Sequence, residues 1–127
     1  MSDLSDRVLI VDDEALIAEV LRMHVENMGM EVCATAATAS AAIALAEEHR
    51  PSVVLMDVRL RGEKDGVDAA IAIHQTVGSK VIFITGSNEQ TTRSRIQEDH
   101  PTAVLFKPFS VRQLQTALQS ALGDARG

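Results

Sequence analysis

Cysteine occurs once in this chain, at Cys33, and tryptophan and tyrosine do not occur. A single thiol excludes an intramolecular disulfide and a cysteine-built zinc site. Within Met30-Glu31-Val32-Cys33-Ala34 it reads as a small hydrophobe of a strand rather than a redox centre. No apolar stretch nears the roughly 20 residues that a membrane-spanning helix needs. The opening residues Met1-Ser2-Asp3-Leu4-Ser5-Asp6 are polar and acidic, without the basic start and apolar core of a secretory signal, so a cytoplasmic location is expected. Basic residues are also scarce, 12 Lys and Arg against 18 Asp and Glu, for a formal net charge of −6. That balance argues against a sequence-independent nucleic-acid binder, which needs a basic face for phosphates, and no direct DNA binding is expected.

What is present fits one globular unit. At 127 residues the chain has the length of a single domain, able to bury a core without disulfides or metal. We expect one domain over 1–127, ordered from about 6 to 122, with no output domain behind it.

Apolar runs and helical stripes alternate along it. Val8-Leu9-Ile10-Val11 reads as a strand, followed by Leu16, Ile17, Val20, Leu21, Val25 and Met28 at the spacing of a core-facing helix, which Gly29 ends. After the strand around Cys33, Thr38 can cap an alanine-rich helix running to about His49, with Ala42, Ile43, Leu45 and Ala46 turned inward. Pro51 stops it and admits the run Ser52-Val53-Val54-Leu55-Met56. Asp65 or Gly66 opens a third helix with Val67, Ala70, Ile71 and His74 on one face, and Gly78 precedes the strand Lys80–Ile84. A strand from about Thr102 to Phe106 leads to a Ser110-x-x-Gln113 capping box and a last helix carrying Leu114, Ala117, Leu118, Ala121 and Leu122, with a frayed tail from Gly123. Between Gly86 and Pro101 the only large apolar residue is Ile96, so a short or mobile helix is expected there. Such alternation predicts an α/β fold, a parallel sheet covered by helices on both faces.

Three of these strands end on charge. Val11 is followed by Asp12-Asp13, Met56 by Asp57, and Phe106 by Lys107, while the fourth strand ends on Thr85-Gly86. In a parallel sheet these residues meet at the carboxyl rim, where α/β sheets bind ligands. Asp12, Asp13 and Asp57 cannot all stay ionised close together without a cation, and Mg2+ suits such a site because it takes carboxylates, waters and a phosphate oxygen. Lys107 fits as a point charge for a phosphoryl group, the Thr85 hydroxyl can donate to it, and Gly86 leaves it room. Asp57 is then a nucleophile able to form an aspartyl phosphate. Taken singly, each has a plainer use: an acidic pair after a strand commonly caps a helix, and a threonine there is commonly a turn residue.

Together, Val11-Asp12-Asp13-Glu14, Leu55-Met56-Asp57-Val58-Arg59-Leu60 with Asp65-Gly66, Thr85-Gly86 and Lys107-Pro108-Phe109 closely resemble the receiver domain of two-component response regulators, along the whole chain. The resemblance implies a CheY-like, doubly wound (βα)5 fold with a five-stranded parallel sheet in the flavodoxin-like order 2-1-3-4-5. It implies that Asp57 accepts phosphate from a sensor histidine kinase or a phosphotransfer protein. It also implies that Asp13 and Asp57 ligate Mg2+ with the Arg59 backbone carbonyl, that Asp12 acts through water, and that Thr85 and Lys107 hold the phosphoryl oxygens. A cis bond before Pro108, a downstream protein target and a dimer formed on phosphorylation belong to the same set of expectations.

Two positions depart from the family pattern. Receivers place Tyr or Phe three residues before the lysine, where this chain has Val104, and Phe106 by alternation points elsewhere. Phe83-Ile84-Thr85-Gly86 is similar to the Phe-Ala-Thr-Gly pattern of a receiver subgroup without that aromatic, which leaves the Gly86–Pro101 segment as the expected carrier of the signal. After Asp57, Arg61-Gly62-Glu63-Lys64 replaces a proline-containing turn, and Arg59 is long enough to shield the phosphoryl group.

His24, His49, His74 and His100 lie near helix ends or in a loop, are not spaced as a zinc pair, and are given no function. Three functional classes fit these observations: a phosphoaccepting signalling module, a phosphatase with an aspartyl intermediate, and a degenerate receiver that only associates. Phosphatases of the haloacid type carry Asp-x-Asp at the nucleophile, where this chain has Arg59, and a degenerate receiver would not be expected to retain all five site residues. The first class, a signalling protein rather than a true enzyme, is the expectation.

Overall fold

The computed structural model describes residues 7–58, 60, 66–86 and 103–126. Arg59, residues 61–65 and the expected short helix between Gly86 and Pro101 lie outside the described residues. In chain order the elements are β1 (Arg7–Val11), α1 (Ala15–Asn27), β2 (Glu31–Ala36), α2 (Ala39–His49), β3 (Val53–Asp57), α3 (Gly66–Thr76), β4 (Lys80–Thr85), β5 (Ala103–Phe106) and α4 (Val111–Arg126). The five strands form one parallel sheet in the order β2-β1-β3-β4-β5.

The central strands are apolar throughout because both their faces are covered. Leu9, Val11, Val54, Met56, Val81 and Phe83 pack under α2 and α3, while Val8, Ile10, Val53, Leu55, Ile82 and Ile84 pack under α1 and α4. Each large side chain buried this way contributes about 1.5–3 kcal/mol, which anchors the rim residues that follow the strands.

Local signals set most element ends. Thr38 accepts a hydrogen bond from the Ala41 N–H at 3.1 Å and caps α2. Ser110 and Gln113 exchange side-chain to backbone bonds of 2.8 and 3.1 Å at the start of α4. Gly29 and Gly78 take φ of +89° and +82°, as helix-ending glycines do. At the end of α2 no glycine is available, and Arg50 itself adopts the left-handed conformation, φ 49°. Cys33 is half-buried, its Sγ 3.5 Å from the Val8 carbonyl.

Three expectations are corrected. On α1 the buried residues are Ala18, Leu21 and Val25, with Met28 partly buried, whereas Leu16, Ile17 and Val20 stand in solvent. The helix carries two apolar stripes, and the one containing the small Ala18 fits against the sheet. On α3 the inward residues are Val67, Ala70 and Ile73 rather than Ile71 and His74, which are exposed. Finally, the α4 backbone stays helical through Gly123 to Arg126 rather than fraying.

Candidate functional site at the carboxyl rim

Register brings the charged strand ends together. Val11 of β1 lies opposite Met56 of β3, so Asp12 and Asp57 are neighbours one step further along. Asp57 pairs with Ile84 and Thr85 with Phe106, which sets Thr85 and Lys107 beside them on the next two strands. Asp12, Asp57 and Thr85 are buried, at 2%, 5% and 2% exposure, and Asp13 is half-buried. One carboxylate oxygen from each of Asp12, Asp13 and Asp57 lies within 4.8 Å of the others. The Lys107 Nζ stands 3.8 Å from Asp57 Oδ2.

The backbone holds these groups in place. Asp12 N–H donates to the Ala36 carbonyl at 3.0 Å, Val58 N–H to Ile84 at 3.1 Å and Lys107 N–H to Thr85 at 2.9 Å. The Lys107–Pro108 peptide bond is cis, as expected from the family motif. Asp12 Oδ1 accepts from the Glu14 N–H at 2.9 Å, while Oδ2 is buried without a hydrogen-bond partner. Burial pushes the Asp12 carboxyl above its ordinary pKa, against the lowering effects of that hydrogen bond and of Lys107.

An orphaned buried carboxylate oxygen beside two further carboxylates is what a hard divalent cation satisfies, so the donor set fits Mg2+. Asp12, Asp13, Asp57, Thr85 and Lys107 all stand at one end of adjacent strands, as the sequence implied, and the Arg59 carbonyl lies outside the described residues.

Gly66 is a further support of the site. The Gly66 N–H donates to the Val58 carbonyl at 2.8 Å, and an added Cβ would fall on the Asp57 carbonyl oxygen, so no larger residue fits there without moving Asp57. The turn pair Asp65-Gly66 hinted at a glycine but not at this contact. Gly86 is less confined: a Cβ there would meet only the Lys107 Cβ, at 4.0 Å.

A parallel α/β sheet with three acids, a threonine and a lysine at its carboxyl rim defines a receiver-type fold. The chain belongs to the response regulator receiver domain family, whose model matches residues 8–119. It is 34% identical to the transcriptional regulatory protein PdtaR of Mycobacterium tuberculosis, over 94% of this chain and 58% of that protein. It is 33% identical to the phyllosphere-induced regulator PhyR of Methylorubrum extorquens, over 95% of this chain and 45% of that one. The chain therefore spans about half the length of these curated relatives. Among solved structures, the signal receiver domain of a modulated diguanylate cyclase from Desulfovibrio desulfuricans superposes with a TM-score of 0.89 at 31% identity, over 94% of this chain and 95% of that one. A CheY-like receiver from Methanospirillum hungatei gives 0.88 at 27%, over 95% and 96%. No helix among the described residues is long and apolar enough to cross a membrane.

Proposed function

We propose that Asp57 is the phosphoacceptor of this receiver and that the domain signals through phosphorylation-dependent protein contacts. The reading is carried by a buried Asp57 that shares a 4.8 Å carboxylate cluster with Asp12 and Asp13 and has the Lys107 ammonium 3.8 Å away. The donor is a phosphohistidine on a sensor kinase or phosphotransfer protein. An Asp57 carboxylate oxygen attacks phosphorus, the P–N bond breaks, and the leaving imidazole takes up a proton. Lys107 and Thr85 hold the phosphoryl oxygens, and the apolar strands beneath Asp57 keep water from its inner side.

Asp12, Asp13 and Asp57, with the Arg59 carbonyl, are the residues that would hold Mg2+, which when bound neutralises charge on the phosphoryl oxygens. The only chemistry assigned to the chain is this self-catalysed transfer and the later hydrolysis of the aspartyl phosphate. A cytoplasmic location, a downstream protein target and output without direct DNA contact complete the reading, the last supported by the net charge of −6.

Beryllofluoride or acetyl phosphate with Mg2+, followed by amide NMR, tests it. Shifts clustered at the rim are expected in the wild type and none in Asp57→Asn; an unresponsive wild type, or an equal response in the variant, refutes it.

A further inference from the structure

A recess of about 260 Å3 opens beside Asp12 and Asp13 on the β2 side of the rim, away from Lys107. One wall is Ala15, Ala18 and Glu19, which share a face of α1 at spacings of three and four residues. The other is Thr35 and Ala36 at the end of β2, with Ala37 just beyond. The Asp12 N–H bonds to the Ala36 carbonyl at 3.0 Å and so ties the acid to this second wall. Asp12 is the most deeply buried residue of the lining, at 2% exposure, and its Oδ2 has no hydrogen-bond partner. Beyond the acid pair, only Glu19 and Thr35 bring polar side chains, since the rest of the lining is alanine.

We propose that this recess is the water pocket of the Mg2+ site, in which Glu19 and Thr35 are positioning residues for waters of the cation's hydration shell. The inference rests on the Mg2+ reading of the acid triad. Mg2+ sheds water reluctantly and keeps several waters when a protein binds it. Those waters are strong donors, and the outer acceptors that receive their hydrogen bonds tune the affinity of the site. The recess has far more room than the roughly 10–15 Å3 that one water requires.

Its chemistry suits water rather than a protein group. The orphaned Asp12 Oδ2 lacks a donor, which a water or a cation supplies and no side chain of the lining does. A carboxylate at Glu19 and a hydroxyl at Thr35 extend the acceptors outward from the acid pair, while the alanines between them leave the space open. Arg22 does not tie up Glu19: it stands 4.0 Å from that carboxylate, closer to Glu26 at 3.3 Å, and exposed pairs of this kind are weak.

Amide NMR titration of the full chain with MgCl2 and, separately, CaCl2 tests the proposal. Glu19→Gln and Thr35→Val should each raise the Mg2+ Kd by about three- to tenfold. Thr35→Ser, which keeps the hydroxyl, should restore the wild-type value. Ca2+ takes more direct oxygen ligands, so its Kd should change by less than about twofold in the same variants. Glu47→Gln makes the same charge change on the exposed side of α2, outside the recess, and should leave the Mg2+ Kd as it is. Glu19 and Thr35 are exposed, so Tm in EDTA should match the wild type and separate these effects from unfolding. An unchanged Mg2+ Kd in Glu19→Gln or in Thr35→Val overturns the proposal and leaves the acid triad as the Mg2+ site. Equal weakening of Ca2+, or an equal effect of Glu47→Gln, overturns it in favour of bare charge. A wild type that binds no Mg2+ removes the proposal and the Mg2+ reading together.

Discussion

Replacing Asp12 with asparagine should stabilise the metal-free domain while removing most of the stabilisation that Mg2+ provides. Asp12 is 2% exposed, its Oδ2 has no partner, and two further carboxylates lie within 4.8 Å. Two unit charges at that separation repel by about 3.5 kcal/mol at an effective dielectric constant of about 20. Lys107 near Asp57, the partial exposure of Asp13 and dissolved salt offset much of this, leaving a net cost of about 1–2 kcal/mol for a charged Asp12. Asparagine keeps an Oδ1 acceptor for the Glu14 N–H, so the local turn is retained.

The measurement is thermal or urea unfolding at pH 7 in EDTA. The variant should gain about 1–2 kcal/mol, or roughly 3–5 °C in Tm per kcal/mol for a chain of this size. With free Mg2+ at ten times its Kd, the wild type should gain about 1.4 kcal/mol by linkage, and Asp12→Asn markedly less. The pH dependence follows from the raised pKa of Asp12. Between the unfolded value of 3.8 and the higher folded value, the native state retains a proton that the unfolded chain has lost. This group therefore makes metal-free stability fall as pH rises through that window, and the variant should lack its contribution. A variant less stable than wild type in EDTA, or one that gains equally from Mg2+, would refute the reasoning.

Other substitutions probe the supports of the site. Gly66→Ala should lower phosphorylation of Asp57 by acetyl phosphate and destabilise the fold by about 1–3 kcal/mol, because its Cβ would collide with the Asp57 backbone; unchanged labelling and Tm would contradict this. Arg50→Gly should raise stability by about 0.5–1 kcal/mol in urea unfolding, by relieving a left-handed backbone at an exposed helix end. Thr38→Ala should cost about 1 kcal/mol by the same assay through loss of the α2 cap.

Sequence patterns differ in what they reveal. Strands β1, β3 and β4 were legible because a sheet buried on both faces leaves uninterrupted apolar runs, and the residue after each run then had to stand at the rim. The capping signals at Thr38 and Ser110-x-x-Gln113 were equally local, and the structure forms both. Helix orientation was less legible. Periodicity locates an apolar stripe but does not choose between two, and on α1 the stripe with larger side chains is the exposed one because Ala18 allows closer approach to the sheet. On α3 the same ambiguity favoured Ile71 over Ile73, which stand about 200° apart around the helix, and what the helix packs against decides between them. Arg50 carried no local warning, since left-handed caps are signalled by glycine or asparagine. The contact of Gly66 with Asp57 joins residues on two elements, and spacing along the chain does not encode it.

Lys107 connects the two surfaces that matter most. Its ammonium lies 3.8 Å from Asp57 Oδ2, and the residue also lines the groove between α1 and α4. Its backbone N–H is tied to the end of β4 through the Thr85 carbonyl at 2.9 Å. The side chain is 35% exposed, so it retains freedom to follow charge, while its main chain does not. A phosphoryl group on Asp57 would present new acceptors to an ammonium that already stands at the rim. Ile17 and His24 of α1 line the same groove, so Lys107 is shared between that surface and the charge at Asp57. Any coupling between the groove and Asp57 must then be reciprocal: a molecule that binds the groove more weakly once Asp57 is phosphorylated must disfavour the phosphorylated form by the same factor.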